Sequence, residues 1–160
     1  MRRLILMRHG EAERPHPGLD DFDRSLDDEG RAESRRMGRA LAEAGFAPDL
    51  ALVSAARRTL ETWAGVAAAF AGDIAMEQRR GLYSASPVTL SVSVDEAASR
   101  AQAIMLVGHN PGIQQYAAHL AQQAGAPRID RFATGSAAVF AFGEDGQPRL
   151  EAMMLARDFR

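Results

Sequence analysis

The stretch Leu4-Ile5-Leu6-Met7-Arg8-His9-Gly10-Glu11 decides how the rest of the chain is interpreted. Four successive apolar residues without polar alternation predict a central β-strand that is covered on both faces. This strand ends abruptly in a cation, an imidazole and a glycine. Two chemically capable side chains therefore lie where a buried strand opens into a turn, and His9 is a candidate nucleophile.

Downstream of this stretch, apolar strands alternate with helical patterns. Further strands are predicted at residues 50–53, 74–77, 104–107, 137–142 and 150–155, and helices at residues 28–44, from about 57 to 72, from 87 and at 113–124. Residues 11–25 and 78–86 are predicted to be loops, and Glu144-Asp145-Gly146 is a hairpin signal. The pattern predicts one domain over residues 1–160, an α/β/α sandwich whose mostly parallel sheet ends in an antiparallel hairpin.

Composition excludes several classes of function. A net charge of −2 provides no basic field for nucleic acid. The absence of cysteine excludes disulfides, thiolate metal sites and cysteine-based phosphatases. The N-terminal apolar run is too short for a signal segment or a membrane span, so we expect a cytoplasmic protein. No cofactor or metal is predicted, because the acidic residues Asp20, Asp21 and Asp23 are expected to be a solvated loop.

Polar, reactive residues follow three of the predicted strands. The first strand ends in Arg8-His9, the second in Ser54 followed by Arg57-Arg58, and the fourth in His109-Asn110. The carboxyl ends of parallel strands meet at one edge of an open α/β sheet, where ligands bind. We therefore expect these side chains to share one pocket.

Such a pocket suits a phosphoryl group. Arginine matches phosphate oxygens bidentately and keeps its charge, and a neutral imidazole can attack phosphorus. Nearby arginines are expected to lower the pKa of His9. Taken singly, His9 would more often be structural, Arg57-Arg58 a solvated helix start and His109 a turn residue. Position alone indicates an anion site that contains histidines, without naming a reaction.

Three motif blocks resemble those of a known family. Leu6-Met7-Arg8-His9-Gly10-Glu11 resembles the Arg-His-Gly signature of the histidine phosphatase (phosphoglycerate-mutase-like) superfamily. Residues 54–62 match its Ser-x-x-x-Arg-x-x-x-Thr segment, and residues 107–111 match its late Gly-His strand end. Asp27-Asp28-Glu29-Gly30 lies where relatives carry a Leu-Thr-x-x-Gly helix start. The short length most resembles the SixA-type phosphohistidine phosphatases.

The resemblance implies a role for each matching residue. His9 is the nucleophile that becomes phosphorylated, and Arg8, Arg58 and His109 bind the transferring group. Arg57 is the weaker alternative to Arg58, because its neighbour occupies the motif position. Ser136 is a further candidate donor to the phosphate.

One departure from the family pattern bears on the substrate. Relatives that act on phosphate esters carry a general acid, but residues 81–84 contain no carboxylate and Asn110 follows the second histidine. Glu77 is the nearest acid and falls in a predicted strand, which leaves Tyr83 or Glu11 as substitutes. An alkoxide leaving group needs a proton donor, whereas a protonated imidazole leaves without one. The missing general acid therefore favours phosphohistidine as the substrate.

The resemblance thus implies a metal-independent phosphatase that acts on a phosphorylated protein, with a histidine-containing phosphotransfer domain as one fitting partner. Two alternatives remain at this stage. One is a general small-molecule phosphomonoesterase, which would require a working proton donor. The other is a non-catalytic phosphate-binding regulatory module, which would have little need for the nucleophile.

Overall fold

The fold is built on one six-stranded sheet. A computed structural model describes all of residues 1–160. Its strands, in the spatial order β3-β2-β4-β1-β5-β6, are β1 (Arg3–Arg8), β2 (Leu50–Ser54), β3 (Ala75–Arg79), β4 (Ala103–Gly108), β5 (Ala137–Phe142) and β6 (Pro148–Met154). Its helices are α1 (Asp28–Glu43), α2 (Arg57–Ala67), α3 (Pro87–Ala97) and α4 (Gly112–Gln123). Only β5 runs against its neighbours, and it forms the antiparallel hairpin with β6.

The central strand β1 contributes to both cores, as its continuous apolar sequence predicts. Leu4 and Leu6 pack with residues of α3 and α4 on one face of the sheet. Ile5 and Met7 pack with residues of α1 and α2 on the other face. All four side chains are fully buried. The predicted three-layer α/β/α architecture is confirmed.

The register of the sheet places three strand ends side by side. β4 lies between β2 and β1, and all three strands are parallel. Arg8 pairs with Gly108, and Val53 pairs with Val107. The antiparallel β5 begins where β1 ends, because Ala137 pairs with Met7. The residues that follow β1, β2 and β4 and those that precede β5 therefore occupy one edge of the sheet.

Two of the predicted elements differ from the structure. The loop predicted at residues 78–86 is shorter, because β3 continues to Arg79 and a single 3-10 turn follows at Arg80–Leu82. α2 ends at Ala67 rather than near Gly72, and its first turns bury the polar residues Arg58, Thr59 and Thr62. The apolar residues that predict α2 do not indicate these buried polar side chains, because the start of the helix faces the polar edge of the sheet. The helix predicted from Pro87 is confirmed, and Ser86 caps it by accepting from the Thr89 N–H.

None of the helices combines enough length with enough apolar character to cross a bilayer.

Candidate active site

His9 lies at the centre of the sheet edge, and its hydrogen bonds fix its tautomer. Its Nδ1 lies 2.7 Å from the backbone carbonyl oxygen of Gly10. A carbonyl can only accept, so Nδ1 carries the ring proton and donates it. On the other side of the ring, the Nε–H of Arg58 donates to His9 Nε2 over 3.3 Å. Nε2 therefore carries the lone pair and is the nucleophilic position, and in this structure that lone pair accepts from Arg58.

The surroundings of His9 keep its ring neutral. Its pKa is lowered from 6.5 to about 4, chiefly because burial disfavours the charged ring, and further by Arg58, Arg8 and Arg24. The sequence prediction credited the arginines, whereas desolvation is the larger cause. At neutral pH the imidazole is therefore unprotonated at Nε2, which is the state that nucleophilic attack requires.

The end of β2 and the first turns of α2 present three polar side chains to the site at intervals of four residues. Ser54, Arg58 and Thr62 are all buried. Ser54 contacts the second histidine, Arg58 contacts His9, and Thr62 Oγ1 accepts the backbone N–H of Gly10 over 3.0 Å. Thr62 in turn donates to the carbonyl of Arg58. The helical repeat places Arg58 and Thr62, at i and i+4, on one face of α2, whereas Ser54 reaches the site from the end of β2.

The second histidine, His109, packs against the first, with 5.2 Å between the ring centroids. Its Nε2 lies 2.8 Å from Ser54 Oγ, a hydroxyl with no other acceptor. The Ser54 O–H is therefore placed to donate to Nε2, which leaves the His109 proton on Nδ1. That buried Nδ1 has no protein partner. Burial, and then the proximity of His9 and Arg58, lower the pKa of His109 to about 3.

The segment that leads into β5 positions the side chain of Arg8. The Nη1 of Arg8 donates to the carbonyl of Phe132, which also accepts from the Asn110 amide. The buried Nε of Arg8 has no protein partner, and neither has the Oγ of Ser136, whose carbonyl accepts the Arg8 backbone N–H. Unpaired donors on Arg8, His109 and Ser136 thus surround the sheet edge beside His9. An oxyanion is the ligand that would satisfy them.

The position of Asp21 at this site was not predicted from the sequence. It was expected in a solvated acidic loop, but its side chain reaches the site from the 3-10 turn Asp21–Asp23. Asp21 Oδ2 accepts from Arg58 Nη2 over 3.0 Å and from the Tyr83 hydroxyl over 2.6 Å. The Tyr83 hydrogen bond, together with the arginines, lowers the pKa of Asp21 to about 2. An ionised carboxylate therefore faces the guanidinium of Arg58.

These groups border a cleft of about 380 Å³. Its lining includes Asp21, Arg58, Tyr83 and His109, together with Ser84–Pro87 and Asn110–Gly112. His9 lies deeper and is only 7% exposed. The volume is sufficient for one phosphoryl group and one small ring. The cleft is therefore shaped for a side chain or a small ligand that enters past Asp21 and Tyr83.

Close backbone packing holds the loop after β1 against α1. A Cβ atom on Gly10 would lie 2.5 Å from the carbonyl oxygen of Gly30, and one on Gly30 would lie 2.0 Å from that of Glu11. Both motif glycines are therefore required for the approach of the two backbones. Asp27 caps α1 by accepting from the Gly30 N–H. The packing of Gly10 against Gly30 holds in place the Gly10 carbonyl that accepts from His9.

Comparison with known proteins agrees with this geometry. The model of the histidine phosphatase superfamily (branch 1) matches residues 4–83. The chain belongs to this superfamily. A solved structure of a protein assigned as the phosphohistidine phosphatase SixA, from Agrobacterium tumefaciens, superposes with a TM-score of 0.83 and 31% identity, over 96% of this chain and 97% of that one. A SixA protein histidine phosphatase complexed with tungstate shares the fold, with a TM-score of 0.82 and 20% identity over 98% of each chain.

A curated relative matches this chain in sequence over part of its length. A 2,3-bisphosphoglycerate-dependent phosphoglycerate mutase from Thermobifida fusca is 44% identical over 66 residues, which is 39% of this chain and 26% of that protein. The chain thus matches only about a quarter of the length of this curated relative. This likeness leaves the substrate open.

Several other sequence candidates lie away from His9. Arg57 points outward and pairs with Glu61, as expected of the weaker alternative. Glu11 accepts from Thr134 rather than approaching the histidines. Glu77 is held by Arg79 and Arg100, which lower its pKa to about 2. The remaining two histidines of the chain, His16 and His119, were not candidates and are both exposed. Of the two proposed substitutes for a general acid, only Tyr83 borders the cleft.

Proposed function

We propose that this protein is a phosphatase that removes the phosphoryl group from phosphohistidine on a protein, through a covalent intermediate at His9. The observation that carries this proposal is the pair of hydrogen bonds on the His9 ring. Nδ1–H donates to Gly10, so Nε2 keeps its lone pair, and Arg58 holds that nitrogen at the cleft. A purely phosphate-binding module would have no use for a tautomer fixed in this way.

Two displacements at phosphorus make up the proposed reaction. In the first, the His9 Nε2 lone pair forms a bond to phosphorus while the bond to the substrate nitrogen breaks, and its electron pair returns to that nitrogen. In the second, water attacks phosphorus, the bond to His9 Nε2 breaks, and inorganic phosphate leaves. The water proton is taken up by phosphate. Arg8, Arg58 and His109 offset the charge on the equatorial oxygens in both steps, and Ser136 is a further donor.

The protonation states in the cleft favour a nitrogen leaving group over an alkoxide. Asp21 is ionised at neutral pH because its pKa is about 2, and so it has no proton to give. The hydroxyl of Tyr83 already donates to Asp21, and this bond raises the pKa of the phenol. A protonated phosphoimidazole departs as neutral imidazole and needs no donor. The same argument disfavours the small-molecule phosphomonoesterase.

The surface beside the cleft supports a protein as the carrier of the phosphoryl group. α3 begins at Pro87, which lines the cleft. One turn apart on its outer side, Val88 and Val92 are 71% and 61% exposed, and they are two of the three exposed large hydrophobic residues. Apolar side chains beside a catalytic opening are suited to contact with a partner protein. A histidine-containing phosphotransfer domain is the partner that this surface and the SixA likeness suggest.

A panel of substrates tests the proposed chemistry. Turnover should be efficient with phosphohistidine and phosphoimidazole and at least ~100-fold lower in kcat/KM with alkyl phosphates, because the cleft lacks a proton donor. Treatment with a chelator should leave the rate unchanged, since the guanidinium groups of Arg8 and Arg58 provide the positive charge. Efficient hydrolysis of alkyl phosphates would support the phosphomonoesterase instead, and binding of phosphate without turnover would support the regulatory module.

The α3 surface gives a separate prediction about the protein substrate. The double variant Val88→Asp, Val92→Asp should lower kcat/KM for a phosphohistidine protein by roughly 10-fold or more, because it places charge in the contact. Hydrolysis of free phosphoimidazole should stay within about 2-fold of the wild type. The double variant Ser93→Asp, Ser99→Asp on the same helix and its following turn is the control for added charge. Equal loss with both substrates would contradict the assignment of this surface.

A further inference from the structure

We propose that Asp21 is the acceptor for the leaving imidazole: its carboxylate binds the ring N–H of the phosphohistidine substrate on the nitrogen that does not carry phosphorus. This inference rests on the proposed function and extends it, because it identifies a subsite for the leaving group. That subsite selects a cationic nitrogen heterocycle over alcohols and over anionic leaving groups.

The position of Asp21 relative to the nucleophile carries the first part of the argument. Arg58 bridges the two residues, since its Nε–H donates to His9 Nε2 and its Nη2 donates to Asp21 Oδ2. A phosphoryl group bound by Arg58 next to His9 therefore has Asp21 within reach on the cleft side. The Asp21 side chain is 48% exposed and lines the cleft, so a ligand can contact it. Its place is that of a leaving-group contact, not of a buried structural ion pair.

The hydrogen bonds of Asp21 leave capacity for one more donor. A carboxylate offers about four lone-pair sites. Oδ2 accepts from Arg58 and Tyr83, and Oδ1 accepts from Arg24 over 2.9 Å. One site on Oδ1 remains. The same three donors also hold the side chain in place, so the carboxylate is preorganised before a substrate arrives.

The turn that carries Asp21 is docked firmly onto the opposite wall of the cleft. The ring of Phe22 packs edge-on against Tyr83, with 5.1 Å between centroids, and the Arg80 guanidinium lies 4.6 Å over the Phe22 ring. The backbone carbonyl of Asp21 also accepts from Arg58 Nη1 over 2.7 Å. Tyr83 itself contacts His109 edge-on. The aromatic wall next to Asp21 provides a surface against which a flat imidazole ring can pack.

The chemistry needs an acceptor of this kind. When His9 Nε2 attacks, the P–N bond breaks and its electron pair goes to the substrate nitrogen. The ring leaves neutral only if its remote nitrogen keeps a proton throughout. An anionic carboxylate that accepts that N–H favours the cationic ring in the ground state and preserves the proton during departure. No proton is transferred to phosphorus or to the breaking bond.

The two rings that exchange the phosphoryl group would then be held in equivalent ways. The Nδ1–H of His9 donates to the carbonyl of Gly10, so phosphorylated His9 also keeps a proton on its remote nitrogen. The Gly10 carbonyl accepts the remote N–H of the enzyme ring, as the Asp21 carboxylate accepts that of the substrate ring. This equivalence accounts for a hydrolase site that handles two P–N bonds without a proton donor to either nitrogen.

Asp21→Asn tests the assignment, with Asp23→Asn as the matched control. Asp23 is an exposed carboxylate on the same turn with no side-chain partner. With phosphoimidazole, Asp21→Asn should lose about 10- to 100-fold in kcat/KM, the value of a hydrogen bond to a charged group. With p-nitrophenyl phosphate, whose leaving group has no N–H, it should stay within about 3-fold of the wild type. Asp23→Asn should match the wild type with both.

Two further measurements separate binding of the ring N–H from a structural role. With the N-methyl derivative of phosphoimidazole, which is cationic but lacks the N–H, most of the difference between wild type and Asp21→Asn should disappear. The fall of kcat for phosphoimidazole as pH rises should occur about one pH unit lower in Asp21→Asn, because kcat reports the pKa of the bound ring, which loses its stabilising anion. The groups that face Asp21 could also change the pH profile; they are Arg24, Arg58, Tyr83 and His109. The pH profile measured with p-nitrophenyl phosphate contains the same groups and therefore serves as the reference.

Other outcomes would overturn the assignment. Unchanged turnover of phosphoimidazole in Asp21→Asn, with His9 still labelled, would refute the role of Asp21 and leave the proposed function standing. A gain with both substrates would show that Asp21 competes with phosphate for Arg58. An equal loss with both substrates would assign Asp21 to the positioning of Arg58 alone. Absence of His9 labelling in the wild type would instead refute the proposed function itself.

Discussion

Arg58→Ala should reduce kcat/KM for phosphohistidine by roughly 10³-fold while Arg57→Ala, its neighbour, stays within about 2-fold of the wild type. Arg58 is only 5% exposed and connects His9 with Asp21 through three hydrogen bonds. In this desolvated site a fixed cation offsets the charge on the transferring phosphoryl group far better than it would in water. Arg57 forms an exposed ion pair with Glu61, which contributes about 1 kcal/mol at most.

Steady-state kinetics of both variants, with thermal unfolding as a check on the fold, measures this difference. Loss of Arg58 also removes one of the two cations that pair with the Asp21 carboxylate, so Arg58→Lys is included to retain the charge. We expect Arg58→Lys to fold like the wild type and to recover only part of the activity, because an ammonium cannot replace the guanidinium fork. Comparable losses in Arg57→Ala and Arg58→Ala would contradict the role assigned to Arg58.

His9→Ala should lower turnover by about 10⁴-fold or more, since removal of a nucleophile removes the reaction path. The pH profile of the wild type provides a second test of His9 as the nucleophile. Because the pKa of His9 is about 4, its ring is neutral above that value and the rate should fall only as pH approaches 4 and the ring becomes protonated. A nucleophile with an ordinary histidine pKa would lose activity near pH 6.5 instead.

His9→Asn supplements the alanine variant, because an asparagine amide can still donate to the carbonyl of Gly10. It should fold normally and remain inactive. His119→Asn is the control, since His119 lies on the exposed side of α4. It should retain full activity. Substantial turnover in His9→Asn would mean that the reaction proceeds by direct attack of water, with no role for the ring as nucleophile.

The sequence predicts most of the fold because each strand repeats the same pattern. Leu4–Met7 is apolar without interruption, which identifies a strand buried on both faces, and the alternation of such strands with helices specifies a parallel sheet. The rule that ligands bind at the carboxyl ends of parallel strands then brings His9, Ser54 and His109 to one edge. These inferences depend on local periodicity, which a single sequence contains.

The position of Asp21 could not be predicted in this way. Its neighbours in sequence are acidic and lie next to proline and glycine, a composition typical of solvated loops. What places its carboxylate at Arg58 is the packing of Phe22 against Tyr83, a contact between residues far apart in the chain. The hydrogen bond from the Gly10 N–H to Thr62 could not be predicted for a related reason, because it joins residues that are far apart in the chain, although the motif match already placed Arg58 at the site. Residue spacing signals burial but does not identify the partner.

Trapping the phosphorylated enzyme tests the central claim most directly. The protein is incubated with radiolabelled phosphoramidate, quenched rapidly in alkali, digested and mapped, in parallel with His9→Ala and His119→Asn. The account predicts one label per chain that is stable in alkali, lost in acid, located on His9, absent from His9→Ala and retained in His119→Asn. A label that survives acid, or one that persists in His9→Ala, would contradict it.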